Sequence, residues 1–201
     1  MKENILQKAT DLFITYGFKS VTMDDLATEM GISKKTIYKH YSNKTELVSA
    51  AAIGMFDAIA SGINLIRAEK NNPIEEIFEI KKLVLQHLKD EKSSPQYQLQ
   101  KYYPKTYKTL QKKKFNTMQE CVTENLHRGI NEHLYRPEID VQFISRLYFS
   151  GMNSIKDIDL FPQELFPAHI AMENYIEYHL RGVCTEKGLE LLTKLITNNS
   201  Q

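Results

Sequence analysis

The chain has 201 residues, 42% of them apolar, with 26 basic side chains against 25 acidic ones and a formal net charge of +1. That length and apolar share suffice to bury a sizeable core in one or two domains, and the near-balance of charge excludes a uniformly basic nucleic-acid coat. Cys121 and Cys184 lack a close metal-type spacing, which argues against a disulfide framework and makes both reduced structural residues. No charged-then-apolar leader opens the sequence, and no apolar run is expected to reach the roughly 18 residues of a membrane span. The expected compartment is cytoplasmic, with no membrane partner.

The first helix is expected over residues 2 to 16, where Ile5, Leu6, Ala9, Leu12, Phe13 and Tyr16 form an apolar stripe at helical spacing. Gly17 supplies its stop. The next stretch, Thr22 to Lys44, reads as two short helices joined by a tight turn. Thr22 and Asp25 have the spacing of a capping-box-like pair. Leu26, Ala27 and Met30 share a face, Gly31 can take a left-handed backbone without a Cβ clash, and Ile32 plugs the turn. Ser33 caps a second helix in which Ile37 and Tyr41 pack inward. That leaves Lys34, Lys35, Thr36, Tyr38, Lys39 and His40 for the exposed side and the helix ends. Asn43 and Glu46 repeat the capping-box spacing and start a further helix. The unit is a helix-turn-helix.

Its chemistry suits duplex DNA. The second helix of such a unit enters the major groove with its N-terminal residues at base edges. From Ser33 to Lys44 the chain carries four lysines, one histidine and no acid, a local charge of at least +4. A helix N-terminus adds partial positive charge and free N–H groups that suit phosphate. Lys34 or Lys35 can donate to guanine O6 and N7, and the Thr36 methyl can touch thymine. Tyr38, His40 and Lys44 are of the type that holds phosphates and sets register. The expected DNA-contact set is Thr22, Ser33, Lys34, Lys35, Thr36, Tyr38, Lys39, His40, Tyr41 and Lys44. The competing account is a solvated basic face on an ordinary helical pair.

Residues 5 to 50 resemble the N-terminal domain of the TetR/AcrR-type transcriptional regulators. The resemblance rests on Ala9, Leu12, Phe13, Tyr16, Gly17, Phe18, Thr22, Leu26, Ala27, Gly31, Ile32, Ser33, Thr36, Ile37, Tyr38, Tyr41, Lys44 and Leu47 in one fixed order. Lys35 departs from it, where the family often has a small residue, and so does Tyr41, where it usually has Phe. The resemblance implies an all-α fold with a three-helix N-terminal helix-turn-helix domain, residues 1–46. A larger C-terminal helical domain for ligand binding and dimerisation, residues 47–201, would follow. It further implies a homodimer on a pseudo-palindromic double-stranded DNA operator, usually repressing transcription until a small effector binds.

The fourth helix is expected from about Lys44 to Ala68, with Leu47, Ala51, Met55, Ile59, Ile63 and Ile66 along one side. At about 1.5 Å per residue it is long enough to serve as a lever between domains. Asn71-Asn72-Pro73 breaks the chain, and Pro73 suits the first turn of a fifth helix reaching about residue 90. Ser93-Ser94-Pro95 is the next break. Tyr97, Tyr102, Tyr103 and Tyr107, interrupted by Pro104, mark a short sixth helix and a seventh from about Lys105 to Arg128. The acid-free run Lys101, Lys105, Lys108, Lys112, Lys113 and Lys114 is either a contact for DNA or an anionic ligand, or a solvated helix face. Gly129 and Tyr135-Arg136-Pro137 are expected to separate helix seven from helix eight, which runs from 140 to 158 behind an Asp140 cap. Helix nine is expected over 163 to 181 with Gly182 as its stop, and Thr185 caps a last helix. The apolar stripes of helices eight and nine are either core within one subunit or, as the resemblance implies, half of a four-helix dimer bundle.

By the same resemblance, helices four to eight line an effector cavity. Candidate lining residues are Phe56, Ile59, Ile63, Phe78, Leu85, Tyr103, Tyr107, Met118, Cys121, Tyr148 and Met152, each of which otherwise reads as plain core. Adaptable methionine and amphipathic tyrosine suit a small hydrophobic or aromatic effector. An enzyme is not expected. His87, His127, His133, His169 and His179 are scattered, and there is no HExxH, Gly-rich phosphate loop or GxSxG. No catalytic residue, metal ligand or cofactor is therefore assigned. The competing functional reading is a helical protein-interaction or DNA-binding module without effector-controlled regulation.

Overall fold

A computed structural model describes residues 1–88 and 95–199. Its helices are Lys2–Tyr16 (α1), Met23–Met30 (α2), Lys34–Tyr38 (α3), Lys44–Ala68 (α4), Pro73–Leu88 (α5) and Pro95–Tyr102 (α6). They continue with Pro104–Asn131 (α7), Val141–Ser154 (α8), Ala168–Val183 (α9) and Glu186–Asn199 (α10). No strand occurs among the described residues, and Tyr135 and Cys184 share one isolated antiparallel bridge. The fold is all-α, as expected. The break at Ser93-Ser94 and the end of helix five beyond Leu88 lie outside the described residues.

The chain packs into two compact units, Met1–Gly62 with Gln86–Lys114, and Ile63–Leu85 with Phe115–Gln201. This division differs from the sequence boundary after residue 46. Leu47, Val48, Ala51 and Ala52 belong to the same buried cluster as Ile5, Ala9, Phe13, Leu26 and Ile37, joined by Leu99 of α6 and Leu110 of α7. Each fully buried Leu, Ile or Phe of this kind contributes about 1.5–3 kcal/mol, so α1–α3 gain much of their stability from α4, α6 and α7. Tyr16, expected on the inward stripe, is 62% exposed. It is the last residue of α1, and Phe18, past the turn at Gly17, fills the core instead, its ring 5.3 Å from that of Phe13.

One expectation fails on α4. Between Leu47 and Ile66 the only charge is Asp57, and by length and composition the helix is apolar enough to cross a membrane, with a mean hydropathy of 1.5 over 18 residues. Its first turns bury Leu47, Val48, Ala51 and Ala52 in the first unit's core, while most of the apolar window is not fully buried.

In the second unit, α5 opens on Pro73 as expected, and the Asn72 side chain caps it by accepting from the N–H groups of Ile74 (3.1 Å) and Glu75 (3.0 Å). Glu76, one turn in, is only 2% exposed. Its carboxylate accepts from Asn125 Nδ2 at 2.8 Å and pairs with Arg128. Asn125 also donates to the Pro73 carbonyl at 2.9 Å and accepts from the Tyr135 hydroxyl at 3.1 Å. This buried network ties the start of α5 to the end of α7 and the loop that follows.

Helix α7 does not stop before Gly129 but runs through it to Asn131. Gly129 serves close approach instead, since a Cβ there would lie 2.0 Å from the Tyr135 ring. The Asp140 cap of α8 forms, accepting from the Phe143 N–H at 3.0 Å, but the helix ends at Ser154 rather than 158. Helix α9 begins only after Pro167, and Gly182 lies inside it. Thr185 caps α10 as expected, accepting from the Gly188 N–H at 3.2 Å.

Where α8 meets α9, His179 stacks edge-on against Tyr148 with centroids 4.7 Å apart, and Tyr175 donates to the carbonyls of Leu147 and Tyr148. Burial lowers the His179 pKa to about 4 and raises the Tyr175 phenol to about 12. A histidine held neutral in the fold takes up its proton on unfolding below its ordinary value near 6.5. Its contribution to stability is therefore complete above about pH 6.5 and falls away as pH drops towards about 4. Denaturant midpoints measured across that window should decline for the native sequence and decline less for His179→Phe; equal slopes would contradict this account.

Candidate nucleic-acid interface

The turn is built by three local devices. The Asp25 N–H donates to Thr22 Oγ1 at 3.1 Å while the Thr22 N–H donates to Asp25 Oδ2 at 2.8 Å, a complete capping box. Hydrogen bonds from the Thr22 backbone and hydroxyl hold the Asp25 carboxyl below its ordinary pKa. At the other end Gly31 adopts φ 62° and ψ 31°, a left-handed conformation costly to any residue with a Cβ. The Ile32 N–H reaches back to the Ala27 carbonyl at 3.0 Å and closes the helix. Ser33 then starts α3, its Oγ accepting from the Thr36 N–H at 3.1 Å and lying 2.9 Å from the Thr36 hydroxyl. For α4, Asn43 Oδ1 accepts from the Glu46 N–H, while the Glu46 carboxylate turns to the N–H and hydroxyl of Ser42.

Helix α3 is only five residues long. It aligns few peptide dipoles, so the anion attraction expected from its N-terminus is smaller than a full helix would give. Ile37 and Tyr41 both pack inward. Tyr41 is 3% exposed, with Lys2 Nζ 5.5 Å from its ring, and burial raises its phenol pKa. Its place in the expected contact set is corrected accordingly: one turn beyond Ile37 it shares the core-facing side and is a pillar of the fold.

Thr22, Ser33, Lys34, Lys35, Tyr38 and Lys39 are exposed, while Thr36, His40 and Lys44 are half-buried. Two of the lysines have partners that local sequence does not reveal. Lys34 Nζ pairs with Asp24 at 2.9 Å, and that carboxylate raises its pKa. Lys44 Nζ donates to the Lys19 carbonyl at 2.9 Å, and burial lowers its pKa against the opposing pull of Asp25. An acid in the first turn of α2 suits the helix N-terminus in its own right, so nothing in the sequence marks Asp24 as the partner of a residue ten positions on.

The effector candidates divide between the units. Phe56, Ile59, Tyr103 and Tyr107 fall in the first, and Ile63, Phe78, Leu85, Met118, Cys121, Tyr148 and Met152 in the second. In the second unit Cys121 accepts from Arg67 at 3.3 Å, and burial pushes its thiol pKa up. An open groove of about 610 Å³ in that unit is lined by Phe115, Gln119, Thr123, His127, Arg128 and Arg146 among others, and by none of the candidates. Glu173, which shares a helix with His169, pairs with Lys81 at 3.2 Å.

Residues 5–51 match the family described as bacterial regulatory proteins, tetR family. Over 59 residues the chain is 34% identical to the HTH-type transcriptional activator FasR of Mycolicibacterium smegmatis, covering 29% of this chain and 27% of FasR. Over 79 residues it is 27% identical to IcaR of Staphylococcus aureus, negative transcriptional regulator of the biofilm operon icaADBC, covering 39% of this chain and 42% of IcaR. The matched stretches thus span less than half of either relative. A TetR-family transcriptional regulator from Agrobacterium tumefaciens is 16% identical and superposes with a TM-score of 0.72, over 92% of this chain and 97% of that one. These relatives are transcriptional regulators, not enzymes.

Proposed function

Since the chain belongs, through residues 5–51, to the tetR family of bacterial regulatory proteins, we propose that it is a sequence-specific DNA-binding regulator acting in the cytoplasm. In this reading it is a ligand-responsive repressor that holds a pseudo-palindromic operator as a homodimer. The observation that carries the DNA reading is the turn itself. A capping box, a left-handed Gly31 and the Ser33 cap fix α3 so that Ile37 is buried while Ser33, Lys35, Tyr38 and Lys39 stay exposed. Selection of bound duplexes from a random pool tests it. An inverted repeat is expected; recovery of no motif, with binding lost at moderate salt, would sink it.

Dimerisation is supported by apolar residues left uncovered on α8 and α9, with Phe143 61% and Tyr178 77% exposed and Leu147 and Ile170 also exposed on the same two helices. Apolar surface of that kind favours a second copy. Two-fold symmetry would set recognition helices about 34 Å apart, one turn of duplex. For the effector we propose the second-unit set of Ile63, Phe78, Leu85, Met118, Cys121, Tyr148 and Met152, and a small hydrophobic or aromatic compound. Such a ligand regulates only through unequal affinity for operator-bound and free forms. Release of the selected duplex by members of a panel of such compounds is the expected result. The alternative is a helical protein-interaction or DNA-binding module without effector-controlled regulation, and release by no compound would select it.

Two lysines should separate by role. Lys35→Ala should relax preference at particular base pairs, at about 1–3 kcal/mol for each base edge it no longer meets. Lys44→Ala should weaken all duplexes alike, lower the slope of log K against log salt by about 0.9 per subunit, and cost about 1 kcal/mol of fold stability through the vacated Lys19 carbonyl. Titration of both variants against matched and mismatched duplexes distinguishes them; uniform weakening in both would make Lys35 a phosphate contact.

A further inference from the structure

Among the described residues, five lysines pair with a carboxylate: Lys8 with Glu29, Lys34 with Asp24, Lys81 with Glu173, Lys82 with Glu79 and Lys113 with Asp57. Lys19 and Lys101 are different. Among the described residues, both rest on tyrosines. Lys19 Nζ lies 4.5 Å from the centre of the Tyr102 ring and 3.4 Å from its hydroxyl. Lys101 Nζ lies 5.6 Å from the same ring and 5.3 Å from that of Tyr97, whose hydroxyl accepts from it at 2.9 Å. An aromatic ring attracts a cation without neutralising it, and two ammonium groups gathered on one ring repel each other. Both tyrosines and both lysines are exposed, and no carboxylate among the described residues pairs with either ammonium group.

The arrangement is anchored rather than a loose surface run. Leu99 sets α6 into the first unit's core, Gln98 Oε1 accepts from the Lys19 N–H at 3.1 Å, and the Tyr103 hydroxyl donates to the Phe18 carbonyl at 3.3 Å. The Lys19 carbonyl is in turn the acceptor for Lys44 Nζ. The cluster is thereby joined, residue to residue, to the start of α4, where Lys44 is the proposed phosphate contact. Lys105 and Lys108 continue the basic character on α7 with no acid between Lys101 and Lys114.

We infer that Lys19 and Lys101, held on Tyr102 and Tyr97, form a second row of contacts to the phosphodiester backbone of the bound duplex, outside the residues of α3. A polyanion supplies the missing counter-charge to both ammonium groups at once, and the tyrosines fix where those groups sit without neutralising them. This inference rests on the DNA reading. It assigns affinity, not base preference, to α6 and the loop between α1 and α2.

The test uses the full chain and the duplex recovered by selection, with affinity measured over a range of salt. Lys19→Ala and Lys101→Ala should each flatten the slope of log K against log salt by about 0.9 for every phosphate no longer neutralised, without changing the preferred sequence. Lys101→Arg should keep the native slope, and Lys112→Ala, an equal change of net charge on an exposed lysine outside the cluster, should leave it unchanged. Native slopes in both cluster variants would overturn the inference while leaving specific DNA binding intact. So would an equal flattening in Lys112→Ala, because the effect would then be one of net charge. If the native chain binds no duplex in a salt-dependent way, the DNA reading itself fails and takes this inference with it.

Discussion

Glu76→Ala is expected to lower the unfolding free energy of the second unit by about 3 kcal/mol, the low end of what removing one partner of a buried ion pair costs. The low end applies because the Arg128 side chain keeps 24% of its exposure and can recover some hydration. What Arg128 loses is its carboxylate partner, and its buried Nε already has no hydrogen-bond partner among the described residues. Asn125 would lose one of its two acceptors as well, leaving Nδ2 with the Pro73 carbonyl alone. Glu76→Gln should cost less, since an amide oxygen can still accept from Asn125. Urea unfolding followed by circular dichroism gives both values; a drop below about 1 kcal/mol in the alanine variant would mean the network is solvated and contributes little.

Gly129→Ala should destabilise the same unit, by about 3 kcal/mol, the upper part of the range for overpacking, where helix propensity alone predicts a gain of about 1 kcal/mol. The reversal comes from Tyr135. A Cβ at position 129 would stand 2.0, 2.3 and 2.6 Å from three of its ring carbons. The ring has nowhere to go, being fully buried with its hydroxyl bound to Asn125. Gly54 supplies the control: it too is helical, but a Cβ there meets nothing within 4 Å, and Gly54→Ala should stabilise. Opposite signs at the two positions in thermal unfolding are the expected outcome, and a stabilised Gly129→Ala would remove the close-approach explanation.

Gly129 also shows where sequence reading stops. A glycine that ends a helix and a glycine that admits a ring look alike along the chain, and what separates them here is a tyrosine six residues later folding back. Gly182 misleads in the same way, while Gly31 does not, because the Thr22, Ile32 and Ser33 signals around it all specify the same turn. Caps are legible because their partners lie within three residues: Thr22 with Asp25, Asp140 with Phe143, Thr185 with Gly188. The stretch from residue 155 to 167 carries Ile158, Leu160, Phe161, Leu165 and Phe166, apolar enough to read as helix, yet α9 waits for Pro167. On the candidate interface the residue types are legible and their partners are not. The pairing of Lys34 with Asp24, of Lys44 with the Lys19 carbonyl, and of Lys19 with Tyr102 all depend on packing between elements.

The Asp24–Lys34 pair has a consequence for selectivity. On the proposed reading, Lys34 does not wait empty-handed for DNA; it already holds a carboxylate from its own chain. Any acceptor it meets in the groove must displace an incumbent, and the displaced acid is then left facing a polyanion. A lone, poorly aligned acceptor offers no advantage over the carboxylate, whereas the paired O6 and N7 of guanine do. On that reading Asp24 would act as an internal competitor, a modest one because the pair is solvent-exposed, and would favour sequences whose acceptors can displace it.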